Sequence, residues 1–493
     1  MIRENLPVLQ VVVPLLAALL AALSRRPGPA WVIAAVASWT AFAISVALMH
    51  QVLTTGAISY HIGGWDPSLG IEYRVDVFSA LILVLVSGIA AVIAPFAWRS
   101  VAAEIESGRA AWFYTMYLLS LTGLLGISIT GDAFNAFVFL EISSLSSYTL
   151  IALGRDRRAL VAAYQYLIVG TIGATFYIIG VGFLYLMTGT LNLALMAERI
   201  GDVESTRAVL TALAFITVGI SMKLALFPLH VWLPNAYAYA PSMATVFLAA
   251  TATKVAIYLF IRYLYSVFGA HFAFAEMPLT PILMVLSIAA IFGAGTVAIF
   301  QSNVKRMFAY SSVAQIGYIT LGVAIATQTG LTGGIVHIVN HGLIKGALFM
   351  ALGAVALRIK TCDIEEMAGI GRKMPLTLGA LAIAGLGLVG VPGTVGFVSK
   401  WYLIVAAFEQ GWWWLSFLIV ASSLLTVVYV GRVIETVWFR APSATAANAS
   451  EAPLVMLVPI WLLAAATVYF GLDANLTAGI AGKAAALLIG GAQ

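Results

Sequence analysis

Residues 331–357 read LTGGIVHIVNHGLIKGALFMALGAVAL, an apolar stretch whose only ionisable side chains are those of His337, His341 and Lys345. The hydrocarbon core of a bilayer is about 30 Å thick, and a helix of about 20 residues crosses it. This stretch is therefore long enough to span a membrane, and it predicts a transmembrane helix with three ionisable groups inside the bilayer.

The whole chain has the composition of a membrane protein. Of its 493 residues, 62% are apolar and 9% are charged, and the mean hydropathy is +1.02. Soluble domains are nearer 45–50% apolar and about 25% charged. The net charge of +5 is dispersed along the chain, which argues against nucleic-acid binding. Cys362 is the only cysteine, so disulfides and thiolate-ligated zinc or iron–sulfur sites are excluded.

Thirteen further apolar stretches accompany the first, so the sequence predicts an all-α integral membrane protein with about 14 transmembrane helices. The most N-terminal of these stretches, 6–23, is not followed by a small-residue cleavage site. We therefore expect it to be retained as a helix and not removed as a signal peptide. The approximate limits of the fourteen are 6–23, 30–53, 76–98, 111–130, 132–153, 163–187, 208–230, 241–268, 278–300, 305–327, 331–357, 376–408, 411–438 and 453–472.

The basic residues predict the orientation of these spans. Fourteen Lys and Arg residues fall in the odd-numbered connections, and five fall in the even-numbered connections and at the ends. By the positive-inside rule, the odd connections are cytoplasmic and both termini lie on the non-cytoplasmic side of the plasma membrane. Two connections are distinctive, a segment at about 190–207 that predicts a short amphipathic helix on the membrane surface, and a charged segment at 358–374. We interpret both as connections without a function of their own.

Seven ionisable side chains fall inside spans. Each costs several kcal/mol there unless it faces protein or water and has a partner or a task. A structural ion pair between Glu141 and Lys223 is the alternative, but it would leave the other groups unexplained, so we favour function. Charges near span ends are interpreted as snorkelling or interface pairs: Asp76, Asp132, Arg262, Arg432 and Glu435. The seven are Glu141, Lys223, Lys254, His337, His341, Lys345 and Lys400.

Proline and glycine interrupt two of the lysine-bearing spans. Helix breaks are predicted at Pro228 and Pro234 in the seventh span and at Pro392 in the twelfth. Interrupted helices in corresponding positions of two halves indicate inverted repeats around a transport path. The predicted organisation is helices 1–3 in 1–110, a first repeat of helices 4–8 in 111–268, a second of helices 9–13 in 278–439, and helix 14 with a C-terminal tail in 440–493.

The i, i+4, i+8 spacing of His337, His341 and Lys345 places them on one helix face. Two histidines at this spacing can chelate a metal, but no carboxylate or cysteine lies nearby in the sequence and the lysine would repel a cation. A haem would need ligands from opposite sides. A proton relay fits better, because imidazole titrates near neutral pH, and we expect no metal and no other cofactor.

These motifs resemble the antiporter-like subunits shared by respiratory complex I, membrane-bound hydrogenases and Mrp-type cation/proton antiporters. The resemblance rests on Glu141 in the fifth span, on Lys223 before FPLHVWLP, on Lys254 in TATKVAIYLFIRY, and on NHGLIKGALF and GFVSKW. It covers nearly the whole chain and implies two half-channels joined by a hydrophilic axis. The sequence LPNAYAYAPS departs from the more usual histidine-containing segment after the seventh span.

The resemblance also implies roles. Glu141 and Lys223 look like the family's ion pair, whose opening and closing drives proton uptake, and Lys254 looks like its bridging lysine. The groups of the eleventh span look like the middle of the axis: His337, His341 and Lys345. Lys400 looks like the terminal group that releases or receives the proton.

The lysine at position 400 and the chain's end about twenty residues after Asp473 resemble most the D subunit of an Mrp-type antiporter. The resemblance implies a proton-translocating subunit of a Na⁺/H⁺ antiporter, with other membrane subunits as partners in a hetero-oligomeric complex. The alternative is a proton-pumping subunit of complex I or of a hydrogenase. Neither a Rossmann glycine pattern nor a Walker A sequence occurs, so we expect no catalytic centre in this chain. The polar groups inside the spans suit protons better than the organic substrates of a solute carrier.

Overall fold

The computed structural model describes residues 3–203 and 207–490, and in this part of the chain the fold is helical apart from one short hairpin. The strands are β1 (Ile58–His61) and β2 (Glu72–Val75). The helices are α1 (Leu6–Ser24), α2 (Pro27–Thr55), α3 (Val77–Glu104), α4 (Ala110–Ile129), α5 (Ala133–Ala152), α6 (Arg157–Thr188), α7 (Leu193–Ile200), α8 (Arg207–Leu224), α9 (Trp232–Tyr239), α10 (Ser242–Val267), α11 (Leu279–Ile299), α12 (Val304–Ile325), α13 (Gln328–Ile359), α14 (Pro375–Val389), α15 (Val395–Glu409), α16 (Trp413–Phe439), α17 (Leu454–Leu472) and α18 (Asn475–Ile489).

The prediction of an all-α integral membrane protein is confirmed. Among the described residues, 13 helices are long and apolar enough to cross a membrane. The predicted twelfth span is divided between α14 and α15, which are 15 residues each. Each of the fourteen predicted stretches therefore coincides with a helix or a broken helix. The inverted repeats and their boundaries stay a prediction.

The breaks in the seventh and twelfth spans occur where the backbone leaves the helical region. Helix α8 ends at Leu224, and Pro228 lies in the non-helical connection to α9. Helix α14 ends at Val389, and Gly390, with φ +88°, and Pro392 follow it. The break predicted at Pro234 is wrong. Pro234 lies in the first turn of α9, where a backbone N–H would have no intrahelical acceptor and proline is tolerated.

Two local elements differ from the sequence prediction, and the short helix predicted at about 190–207 is present. The hairpin β1–β2 between α2 and α3 was not predicted. The predicted C-terminal tail is helical, because α18 packs against α3 and α13. The amphipathic segment forms α7, which buries Met196 and Ile200, followed by a 3₁₀ turn at 201–203. The remainder of that segment, 204–206, lies outside the described residues.

The charges at span ends are mostly paired. The side chains of Asp76 and Arg262 form an ion pair between α3 and α10, and Glu435 pairs with Arg440 at 3.1 Å. Arg432 donates to the backbone oxygen of Ile299 at 2.8 Å. The snorkelling prediction is wrong for Asp132. It is buried, and it caps α5 by accepting from the backbone N–H of Asn135 at 2.6 Å.

Helix α13 lies at the centre of the molecule. It packs against α3, α10, α12, α14, α15, α17 and α18. In an apolar 18-residue stretch of α10, and in one of α12, 94% of the residues are buried. The corresponding share is 39% for α1 and for α17. Side chains on α10, α12 and α13 are therefore surrounded by protein, while the outer helices offer a broad apolar surface to lipid.

Candidate functional site, a buried row of ionisable side chains

The first ionisable pair joins α5 to the end of α8. Nζ of Lys223 lies 3.7 Å from Oε1 of Glu141, and it donates a hydrogen bond of 2.5 Å to the hydroxyl of Ser144. Lys223 is 6% exposed, while the side chain of Glu141 is 24% exposed. The ammonium is thus held between a hydroxyl and a carboxylate, and its residue is the last but one of α8 before the break in the seventh span.

The serines around Glu141 are not equivalent. The hydroxyls of Ser143, Ser146 and Ser147 donate to backbone oxygens of their own helix. Only Ser144 has the ammonium of Lys223 as a hydrogen-bond partner among the described residues. The sequence shows several serines close to Glu141, but it does not show which hydroxyl would contact the lysine.

Lys254 is fully buried in α10, just after a π-helical turn at Leu248–Ala252. Its ammonium donates to the backbone oxygen of Ala249 in that turn, and to the hydroxyl of Thr253 at 3.3 Å. No carboxylate of the described residues lies within ion-pair distance of it. π-Helical turns in α-helices are frequent at functional sites.

The predicted face of α13 is present and buried. His337 and His341 are each 1% exposed, and their ring centroids lie 6.2 Å apart with an interplanar angle of 19°. Lys345, one turn further on, donates to the backbone oxygen of Phe308 at 2.7 Å and to the hydroxyl of Ser311. All three side chains therefore lie in the protein interior, and that of Lys345 contacts α12.

The two histidines differ in their hydrogen bonds. Nδ1 of His337 lies 2.7 Å from the hydroxyl of Ser399, and Nε2 lies 2.9 Å from Oε1 of Gln315. Neither ring nitrogen of His341 has a protein partner in the described structure. A buried imidazole without partners is costly, so His341 needs water or a moving neighbour to be satisfied.

Lys400 is the last of the seven ionisable residues along the chain, and it lies at the break in the twelfth span. Its ammonium donates to the backbone oxygen of Val389 at 2.8 Å and to the hydroxyl of Ser423 at 3.0 Å. It also lies 4.8 Å from the ring centroid of Tyr318. The free carbonyls at the C-terminal end of α14 carry partial negative charge, which favours a cation at this point.

Five of the seven predicted residues converge on α13. Lys254 interacts electrostatically with both histidines and with Lys345, and Lys400 interacts with His337. Glu141 and Lys223 form a separate pair, and no bond in the described structure joins Lys223 to Lys254. The arrangement is therefore one ion pair and one separate cluster of ionisable groups, in which neutral hydroxyls and carbonyls, rather than counter-ions, contact most members.

Sequence reasoning missed the residues of α12 that contact this row. Ser311 binds Lys345, Gln315 binds His337, and the ring of Tyr318 lies under Lys400. These three positions are spaced i, i+4 and i+7, which places them on one face. That spacing is visible in the sequence. However, burying an uncharged polar residue in a span costs little free energy, so nothing distinguishes these three positions as functional.

A polar cavity of about 650 Å³ adjoins the connections that the charge bias predicts to be cytoplasmic. Glu104, Arg155, Lys305 and Asp363 contribute to its lining. Lys305 is one of the fourteen basic residues that were counted in the odd-numbered connections, but it is 7% exposed and donates to the hydroxyl of Ser242 at 2.9 Å. The cavity therefore extends to Pro241, the residue immediately before α10, the helix that carries Lys254.

Known proteins resemble this chain over most of its length. The N subunit of NADH-quinone oxidoreductase from Desulforudis audaxviator is 41% identical over 488 residues, covering 95% of this chain and 96% of that protein. The D subunit of the Na⁺/H⁺ antiporter from Alkalihalophilus pseudofirmus is 31% identical over 432 residues, covering 88% and 86%. A chain in the structure of the Mrp complex from Dietzia superposes with a TM-score of 0.90 at 27% identity, covering 99% and 98%.

The family model described as "NADH:quinone oxidoreductase/Mrp antiporter, TM" matches residues 130–426. That range contains every one of the seven ionisable residues, from Glu141 to Lys400. The chain therefore belongs to the NADH:quinone oxidoreductase/Mrp antiporter transmembrane family.

Proposed function

We propose that this chain translocates protons across the membrane along its buried row of ionisable side chains, as one subunit of a larger membrane complex. The observation that carries the proposal is the lack of counter-ions. Lys254, Lys345 and Lys400 are buried and bind only hydroxyl and carbonyl oxygens among the described residues. Unpaired ammonium groups destabilise a folded protein, so their presence favours a role in transport.

The same bonds suit a lysine that gains and loses a proton. A neutral amine still has two N–H donors, and it can keep donating to the carbonyl and hydroxyl that the ammonium contacted. Deprotonation of Lys400 would therefore leave the oxygens of Val389 and Ser423 with donors. A carboxylate partner, by contrast, would hold the charged form and resist transfer.

Transfer would begin at the pair of Glu141 and Lys223. In our proposal, closing the pair stabilises the charged lysine, and opening it releases the proton towards Lys254 and then the two histidines of α13. Lys400 would pass the proton on at the break in the twelfth span. Water would have to bridge the gap between Lys223 and Lys254, and it would supply the partners that His341 lacks.

Two energy sources are candidates. In the first, the proton path is coupled to exchange of Na⁺ or another monovalent cation through partner subunits, as the similarity to the D subunit of the Na⁺/H⁺ antiporter suggests. In the second, electron transfer in partner subunits drives the protons, which the higher identity to the N subunit of NADH-quinone oxidoreductase favours. In both forms the chain is a transporter subunit without a catalytic centre, in the plasma membrane with both termini on the non-cytoplasmic side.

The test is a dye-based ΔpH assay in everted vesicles that contain the chain with its native partners. Lys223→Ala should lose proton movement while remaining in the membrane, and Lys483→Ala, which changes an exposed lysine on α18, should behave as wild type. Wild-type movement in Lys223→Ala would refute the proposed path. Collapse of an imposed gradient by Na⁺ would favour the exchange form. Acidification that needs an electron donor and no cation would favour the redox form.

A further inference from the structure

Each ring nitrogen of His337 has a hydrogen-bond partner whose polar group can rotate while the imidazole ring stays in place. One flanking group is the hydroxyl of Ser399 on α15, which is fully buried and also lies 3.2 Å from the backbone oxygen of Gly396. The other is the amide of Gln315 on α12, which is 1% exposed and whose Nε2 has no partner in the described structure. Each flanking group can therefore turn without breaking a bond to any side chain other than that of His337.

Each protonation state of His337 finds partners in this arrangement. The imidazolium donates from Nδ1 to Ser399 and from Nε2 to Oε1 of Gln315, while the serine hydroxyl donates to Gly396. In the neutral form protonated at Nε2, the serine hydroxyl turns and donates to Nδ1. In the form protonated at Nδ1, the amide of Gln315 turns and donates from its nitrogen to Nε2.

We propose that Gln315 and Ser399 are positioning residues that let His337 change its protonation and its tautomer in place, because each ring nitrogen keeps a hydrogen-bond partner in every form. The inference rests on the proposed function, because it concerns one step of the same proton path. It makes His337 the switching member of the histidine pair. His341, which has no protein partner at either nitrogen, must instead be served by water.

Other titratable groups face His337 and act on its charge. His341 lies on its own helix, Tyr318 on α12 packs against it with ring centroids 5.7 Å apart, Lys400 reaches it from α15, and Lys254 from α10. The cations among them oppose the imidazolium. Oxygen acceptors at both ring nitrogens counter that repulsion, which is why loss of either acceptor should be visible in the pH profile.

The experiment compares variants of the intact complex in the vesicle assay from pH 5.5 to 9. Gln315→Met and Ser399→Ala each remove one acceptor, so proton movement should slow about tenfold and its profile should shift to lower pH by about one unit. Gln315→Glu keeps an acceptor and adds a negative charge, which favours the imidazolium, so its profile should shift to higher pH. The matched control is Ser128→Ala, because that buried hydroxyl on α4 donates only to the backbone oxygen of Leu124 of its own helix among the described residues.

The opposite shifts of two substitutions at one position separate this role from a merely structural one. Shifts of Gln315→Met and Gln315→Glu in the same direction, or an unchanged rate and profile in Ser399→Ala, would overturn the proposal. If Lys223→Ala abolishes movement while these variants do not alter it, the proposed function stands and this inference fails. If the wild type moves no protons, the proposed function itself fails.

A second measurement does not depend on transport. In the complex labelled with ¹⁵N-histidine, the ring signals missing from His337→Gln identify His337. We expect those signals to show hydrogen bonds at both nitrogens and exchange between neutral and charged forms as the pH is lowered. A single fixed tautomer from pH 5 to 9 would overturn the proposal even if every variant at Gln315 and Ser399 failed to assemble.

Discussion

The ammonium nitrogen of Lys223 lies 3.7 Å from Oε1 of Glu141, beyond the usual range of a hydrogen bond. The hydroxyl of Ser144 holds the same nitrogen at 2.5 Å, and Oε1 has no hydrogen-bond partner in the described structure. The ion pair is therefore loosened by a competing neutral group. Such a pair can close or open with a small displacement of the lysine, which is what a gate on the proton path requires.

Replacing Ser144 by Ala should close the ion pair. Without the hydroxyl, the ammonium can donate only to Glu141, and a hydrogen bond to a charged group contributes about 1.5–3 kcal/mol. The initial rate of proton movement should fall about tenfold in the vesicle assay. Thr149→Ala is the control, because that exposed hydroxyl on α5 binds Leu145 of its own helix. An unchanged or faster rate in Ser144→Ala would show that the serine does not hold the pair open.

The ion pair of Asp76 and Arg262 should contribute to stability rather than to transport. Burial opposes ionisation of Asp76, but Arg262 and the backbone N–H of Ser79 outweigh it and hold the pKa of Asp76 below its usual value of 3.8. Asp76→Asn keeps a side chain able to cap α3 and removes only the charge. It should lower the free energy of unfolding by about 2 kcal/mol near neutral pH, because it leaves a partly buried guanidinium unpaired.

The pH dependence of that loss has a definite sign. A depressed carboxyl pKa stabilises the folded state above pH 3.8, and the advantage disappears as the pH falls through the lower folded-state pKa. The melting temperatures of wild type and Asp76→Asn in detergent should therefore differ at pH 7 and converge only as the pH falls from 3.8 through the lower folded-state pKa of Asp76. Asp66→Asn, in an exposed turn, is the control and should change the melting temperature far less. Equal melting temperatures of wild type and Asp76→Asn at pH 7 would count against the pair.

The features that could be predicted from the sequence are those with a large effect on free energy. Apolar length predicted the spans, proline and glycine predicted the breaks near Pro228 and Pro392, and burial cost singled out charged residues such as Lys254. Features with a small effect were missed. Gln315 is neutral, so nothing in its span marks it as the partner of His337, and only packing of α12 against α13 brings them together.

Helix ends and connections were the other source of error. Lys305 lies at the start of the tenth predicted span and was counted as a cation of the connection before it, yet the fold turns it inward to Ser242. Helix α18 is 15 residues long and contains Gly479 and Gly482, which weaken helical propensity, so its packing against α3 and α13 stabilises a helix that local sequence does not predict. Tertiary contacts decide such elements, and one sequence does not reveal them.

The single cysteine should report unfolding. Burial raises the pKa of the Cys362 thiol to about 11, against the lowering influence of Lys305. The thiolate is the reactive form, so alkylation near pH 7.5 should be roughly a hundredfold slower than for an exposed thiol, and it should accelerate on unfolding. Maleimide labelling followed by mass spectrometry measures both rates. Ser107→Cys, which adds a thiol in an exposed connection, gives the fast reference, and equal labelling of both thiols in the folded protein would contradict the burial.

The position of Lys400 should depend on Gly390. This residue has φ +88°, which an alanine adopts only at a cost of about 1–2 kcal/mol. A Cβ atom there would also lie 3.0 Å from Cδ of Lys400. Gly390→Ala should therefore displace the lysine from the oxygens of Val389 and Ser423 and reduce proton movement at least tenfold, as Lys400→Ala would, with a normal amount of protein in the membrane.

Two comparisons decide whether that effect acts through the lysine. Gly379→Ala changes another glycine of α14, where the nearest atom is 3.9 Å away on Trp461, and it should leave proton movement unchanged. The double variant Gly390→Ala with Lys400→Ala should move protons no more slowly than Lys400→Ala alone, because substitutions that disable the same group are not additive. A further loss in the double variant would mean that Gly390 supports the broken span by a route independent of Lys400.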